Sequence, residues 1–208
     1  MRRLLVTVLV LAPAPAAAEP VDQPLVIAVN PPLRWGDADA IGASGYIALT
    51  PHQALRGNVS RYDFVGSVAG DIFGLINGSD GDEGSNSGRI SDTGIGWMYF
   101  PRRLWSGPTI EAGLLRRVRD TRTDDEFASP AIVETATTTY AGRALVGWSW
   151  LIAGRGFISF QTGFSYGHER GSETTTKEIV DTMSFTHPVA RSRVSGEAFL
   201  RLGVAFGR

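Results

Sequence analysis

The run Val194–Phe206 alternates without a break. Val194, Gly196, Ala198, Leu200, Leu202, Val204 and Phe206 share one parity; Ser195, Glu197, Phe199, Arg201, Gly203 and Ala205 share the other. Side chains on a β-strand point to opposite faces with period two, so this run presents one apolar face and one mixed, charged face. The rhythm recurs in 41–49, 54–64, 89–100, 107–119, 137–152 and 156–168. Long alternating runs commit the chain to β-structure with two unlike sides.

Three connections between these runs are short: Thr50-Pro51-His52-Gln53, Pro101 to Ser106, and Ala153-Gly154-Arg155. Each reads as a hairpin turn. The others are long and polar: Asn77 to Gly88, Asp120 to Glu134, and Gly171 to Arg191 are expected to be loops. Before the first of them, Val65, Ala69, Ile72 and Ile76 recur at helical spacing and predict a short loop helix. The segment Leu25 to Leu33 supplies an eighth strand, with Pro31 and Pro32 marking its end because proline donates no ladder hydrogen bond.

Residues 1–18 read as an export signal for the Sec pathway. Arg2 and Arg3 precede the apolar run Leu4 to Leu11, and Ala16-Ala17-Ala18 offers a small-residue cleavage site before Glu19. The apolar run is shorter than the ~20 residues a membrane helix needs. Residues 19–24 form a stub, and 25–208 one domain. Cysteine is absent, which excludes disulfides, thiolate metal sites and a lipidated cysteine. Without Arg2 and Arg3 the 20 basic residues fall to 18 against 21 acidic ones, a charge of −3, which argues against nucleic acid as a partner.

Alternation alone permits two opposite proteins, a soluble lipocalin-like carrier with its apolar face inward and a membrane barrel with that face outward. Bulk separates them. In 138–168 one face carries Tyr140, Val146, Trp148, Trp150, Ile158, Phe160, Phe164 and Tyr166. Those residues would overfill an eight-strand lumen, whereas facing lipid they form an apolar band. Trp97, Tyr99, Trp148, Trp150 and Phe206 are expected to form an aromatic girdle at the periplasmic interface. Several runs hold 12 to 16 residues, more than the ~9–11 that cross a bilayer. The reading is an all-β, antiparallel, up-and-down transmembrane β-barrel of eight strands in the outer membrane, with short periplasmic turns and long extracellular loops.

Arg56, Glu111, Arg143, Glu197 and Arg201 lie opposite the bulky face. An outward basic residue at mid-bilayer costs ~2–4 kcal/mol, so these charges point into the lumen. With Gln161 they are expected to form a buried polar network that fills it. Arg116 has outward parity, near the extracellular end, where it can snorkel to headgroups.

The chain thus resembles the small eight-stranded outer-membrane barrels, the class of OmpX and the OmpA transmembrane domain. The resemblance covers about residues 25–208 and rests on the signal, the strand rhythm, the loop asymmetry and a closing strand with Phe206. It implies the barrel-assembly machinery as a partner during biogenesis. Members of the class end on an aromatic residue; here Gly207 and Arg208 follow Phe206, and Arg201 stands where a glycine is usual.

Some barrels of this size remodel lipid A with a rim histidine, a serine and an acid. Of the three histidines, His52 lies in a turn on the wrong side, His168 has outward parity while Ser165 points inward, and His187 precedes Pro188 in a loop. Asp80, Asp82 and Glu83 lack the spacing of a calcium loop and read as solvated. No catalytic residue, cofactor or metal is expected. The leading expectation is a monomeric, non-enzymatic barrel with a plugged lumen, its wall in lipid and its loops against lipopolysaccharide or a partner. A small ion or solute channel, a rim-located lipid A-modifying enzyme and the soluble carrier are the alternatives, in that order.

Overall fold

A computed structural model describes residues 23–30, 39–65, 85–125, 131–178 and 182–207. The alternating runs form eight strands: β1 (Leu25–Asn30), β2 (Asp39–Thr50), β3 (Gln53–Val65), β4 (Ser85–Tyr99), β5 (Gly107–Asp125), β6 (Ala131–Ile152), β7 (Gly156–Glu178) and β8 (Thr182–Phe206). Each pairs antiparallel with the next, and β1 pairs with β8 to close the ring. The fold class is the one expected, and no helix occurs among the described residues.

The eighth strand is present over Leu25–Asn30, and the remainder of the expected run, residues 31–33, lies outside the described residues. The signal, the helical spacing of Ala69, Ile72 and Ile76, and the acidic run with Asp80, Asp82 and Glu83 lie outside the described residues; Val65 ends β3. Two expected loops are corrected. Asp120 to Glu134 is largely ladder, with Thr121↔Thr135 and Thr123↔Val133 in register. Gly171 to Arg191 is a hairpin extension paired as far as Glu178↔Thr182. Ser85 to Gly88 likewise belongs to β4. The extensions are rich in threonine, whose branched Cβ suits extended backbone, so strands continue where the apolar rhythm stops. β5 to β8 reach 19, 22, 23 and 25 residues. They rise as a four-stranded wall past the part of the barrel that β1 completes.

All three expected turns lie at one end. Pro51 and His52 join β2 to β3, and Ala153 to Arg155 join β6 to β7, with Ala153 and Gly154 at positive φ. The third behaves otherwise. Between β4 and β5 the chain folds back under the barrel, and Leu104 and Trp105 enter its mouth. Trp105 adopts φ 61° and Gly107 φ 99°, the left-handed conformations that permit the reversal.

Burial separates the two faces. Ile95, Leu114, Tyr140, Val146, Phe160, Phe164, Val194 and Leu202 face out, with Leu114 64% and Tyr140 66% exposed. Arg56, Glu111, Arg143, Gln161, Glu197 and Arg201 face in and are buried. The apolar-inward arrangement of a soluble carrier is not the one this chain adopts.

Candidate functional site: a layered lumen

Inward side chains stack in layers along the barrel axis, because each cross-strand row contributes residues of one parity at one level. The layer at the turn end is apolar. Val26, Ala28, Tyr46, Ala54, Met98, Phe100, Leu104, Trp105, Phe157 and Ala205 form a closed cluster. Trp105 meets Tyr46, Phe100 and Phe157 with ring centroids 5.9, 5.4 and 6.0 Å apart, all three contacts edge-on, at 83°, 76° and 85°. These are favourable aromatic geometries. The Trp105 indole N–H donates to the Gln23 carbonyl at 2.9 Å. The Leu104 amide donates to the Pro51 carbonyl at 3.0 Å and the Phe100 amide to that of His52 at 2.8 Å. The turn is therefore bolted to its neighbours and packs its apolar side chains across this mouth.

Above the seal lies the first charged layer. Arg56 Nη2 donates to Glu111 Oε1 at 2.6 Å, and Arg143 Nη2 to the same oxygen at 3.1 Å and to Asn58 Oδ1 at 3.0 Å. Arg56, Gly96, Gly113 and Arg143 occupy one cross-strand row. Gly96 matters sterically: a Cβ there would stand 2.7 Å from Glu111 Oε1, so a larger residue would displace the carboxylate from the position where it meets both arginines. Arg201 donates to Gln161 Oε1, and Gln161 in turn donates to Thr109 Oγ1 at 3.3 Å. The guanidinium carbons of Arg143 and Arg201 stand 5.5 and 4.6 Å from the Phe199 ring centroid, within cation–π range.

The next layer centres on Arg117. It donates twice to Asp92, at 2.8 and 2.7 Å, and to Glu197 Oε1 at 3.0 Å, while Ser165 Oγ donates to the same Glu197 oxygen at 2.7 Å. Glu197 thus joins Arg117 and Ser165, not Arg143. Nearer the loop end, Glu169 accepts from Thr137 Oγ1 and from Arg191 Nε, each at 2.8 Å, with Arg193 Nη1 3.7 Å away. Arg117, Asp92 and Glu169 escaped the sequence reading. The signal was present: counting by twos from Glu111 reaches Arg117.

On the outer wall Trp97 stacks on Tyr99 at 6.1 Å, and Trp148 and Trp150 sit 6.4 Å apart. Trp97 also donates to Gln53 Oε1 at 3.2 Å. Trp97, Trp148, Trp150 and Phe206 are exposed, Tyr99 half-buried. Toward the loop end Arg116 is exposed outward, in one cross-strand row with Thr93, Tyr140 and His168. His168 and Ser165 lie on opposite faces, His52 Nδ1 is 2.9 Å from the Phe100 carbonyl in the turn, and His187 is exposed on β8. The structure brings no histidine, serine and acid together among the described residues.

Among solved structures the chain is similar to a major outer membrane protein from Thermus thermophilus, with a TM-score of 0.49 and 10% identity over 88% of this chain and 98% of that one. It is also similar to outer membrane protein AlkL in DMPC lipid bilayers, with a TM-score of 0.41 and 12% identity over 95% and 97%. No family model matches the chain, and no curated protein does. Its own geometry defines its class: an eight-stranded, up-and-down antiparallel β-barrel with an apolar exterior and a charged lumen.

Proposed function

We propose that this chain is a non-enzymatic, monomeric outer-membrane barrel whose lumen is shut by its own side chains and whose loop end meets lipopolysaccharide or a partner at the cell surface. The observation that carries this reading is the pairing of an exposed apolar wall with a buried charged interior. Ile95, Leu114, Tyr140, Phe160 and Phe164 present their side chains to the surroundings. Water would penalise such an area at about 25 cal/mol per Å², while hydrocarbon would not. The aromatic residues gathered toward the turn end suit a headgroup interface. Arg116, Tyr140 and His168 in one outward row toward the loop end suit the opposite interface, where their polar tips reach phosphates. The apolar seal and the layered charges support closure rather than conduction. Exposed Met183 and Phe185 on the protruding hairpin are surface available to a partner.

Heat-modifiability tests the membrane reading. Unboiled protein from the outer-membrane fraction should run as a shifted, SDS-resistant band that boiling abolishes. Recovery in the soluble periplasm with no shift would overturn it.

A further inference from the structure

The charges of the lower lumen do not balance. Three guanidiniums, Arg56, Arg143 and Arg201, are buried there with one carboxylate, Glu111. Arg201 is 1% exposed and, among the described residues, has no carboxylate in salt-bridge range: its partners are the neutral amide of Gln161 and the Phe199 ring. Arg56 Nε, Arg143 Nε and Nη1, and Arg201 Nε and Nη2 are all buried and donate to no acceptor among the described residues. Buried guanidiniums carry a large desolvation cost unless opposite charge and acceptors compensate it. The layer above has the reverse imbalance, Asp92 and Glu197 around the single Arg117, yet no ion pair joins the two layers among the described residues. Its carboxylates are engaged with Arg117 and Ser165.

We infer that the lower lumen is a binding site for one small inorganic anion, of the chloride or phosphate kind, held by Arg201, Arg143 and Arg56. The unmatched donors come from three different strands, β3, β6 and β8, and so converge on the lumen instead of lining one wall. Such donors form charge-assisted hydrogen bonds to an anion. Glu111 sets the limit: it draws Arg56 and Arg143 together and takes up one of the three positive charges. Arg201 contributes charge that nothing else in the layer neutralises. The site is closed toward the turn end by Trp105, Tyr46 and Phe157, so an anion enters past Arg117 from the loop end. The inference rests on the lumen alone and is independent of the membrane in which the barrel sits.

The test is the thermal midpoint of the whole purified barrel in a zwitterionic detergent, in sodium chloride, sodium phosphate and sodium gluconate of equal ionic strength. Gluconate, a bulky organic anion of the same charge as chloride, controls for screening. The expected result is a midpoint raised by chloride or phosphate over gluconate, saturating with concentration. Arg201→Gln should lose that difference, and Glu111→Gln, which removes the competing carboxylate, should enlarge it while the midpoint in gluconate falls. Where Arg201→Gln does not fold, Glu111→Gln still decides, because a purely structural carboxylate predicts the same loss in every salt. Equal native midpoints in chloride, phosphate and gluconate, or a difference that survives Arg201→Gln, would overturn the site.

Discussion

Arg117 reaches across the lumen: from β5 its Nη2 donates to Glu197 Oε1 on β8, three strands away around the ring, at 3.0 Å. The same nitrogen donates to Asp92 Oδ2 at 2.7 Å. One guanidinium therefore ties the β4–β5 wall to the opposite one at mid-height, where no backbone ladder can.

Removing it leaves two buried carboxylates without a cation. Arg117→Met should destabilise the folded barrel by about 3–5 kcal/mol, the usual cost of breaking a buried charge pair from one side. The temperature at which the fast-migrating band is lost on an SDS gel reads this directly. The triple change to Met at Arg117, Asn at Asp92 and Gln at Glu197 should recover much of the loss, because no charge is then stranded. A single change that leaves the transition where it was would show that the strut bears no load.

The aromatic seal makes a separate prediction. Trp105→Ala removes a 1%-exposed side chain from the turn-end mouth, at a cost of about 3–5 kcal/mol. It should also admit solvent. The native chain has no cysteine, so Ser149→Cys, buried above the seal, is a clean reporter. A maleimide should label it slowly with Trp105 present and quickly in Trp105→Ala. Planar bilayers should show no unitary steps for the native barrel and brief openings for the variant. Stable native steps that change with Glu197→Ala or Arg143→Ala would replace the plugged lumen with a channel.

Two glycines should respond differently to one methyl group. A Cβ on Gly163 would run into the Ala144 carbonyl oxygen and lie 2.9 Å from the Leu145 Cα, whereas one on Gly142 meets nothing within 4 Å. Gly163→Ala should lower stability by about 1–3 kcal/mol, as overpacking does, through a forced shift between β6 and β7. Gly142→Ala, on the outer wall, should be near neutral. Thermal gel-shift midpoints separate the two.

The order of strands, their parity and three of the turns were legible because apolar outward residues and polar lumen-facing residues alternate wherever the two faces differ. Where that contrast ends, so does the signal. Thr174, Thr175 and Thr176 lie in a ladder with Ser184, Phe185 and Thr186, but hydroxyl residues there fall on both faces and break the apolar alternation, so composition alone reads as loop. The seal was hidden for another reason. Pro101 to Ser106 has the length of a hairpin connection, and only packing against Tyr46 and Phe157, distant in sequence, turns Trp105 inward. For the charges, parity told which way Glu197 points but not that Arg117, rather than Arg143, would meet it. That choice depends on reach across the lumen, and no spacing within one strand encodes it.

The ring closes on a short clasp. Among the described residues β1 meets β8 over five residue pairs, from Leu25↔Phe206 to Val29↔Leu202, against 23 between β7 and β8. Those five pairs join opposite ends of the chain, so their formation bears a loop-closure entropy that the local hairpins escape. Assembly should therefore run from the long hairpins toward the clasp, with β1 added last. Under strain the cylinder should open there first and become a curled sheet that exposes two strand edges before any hairpin unravels.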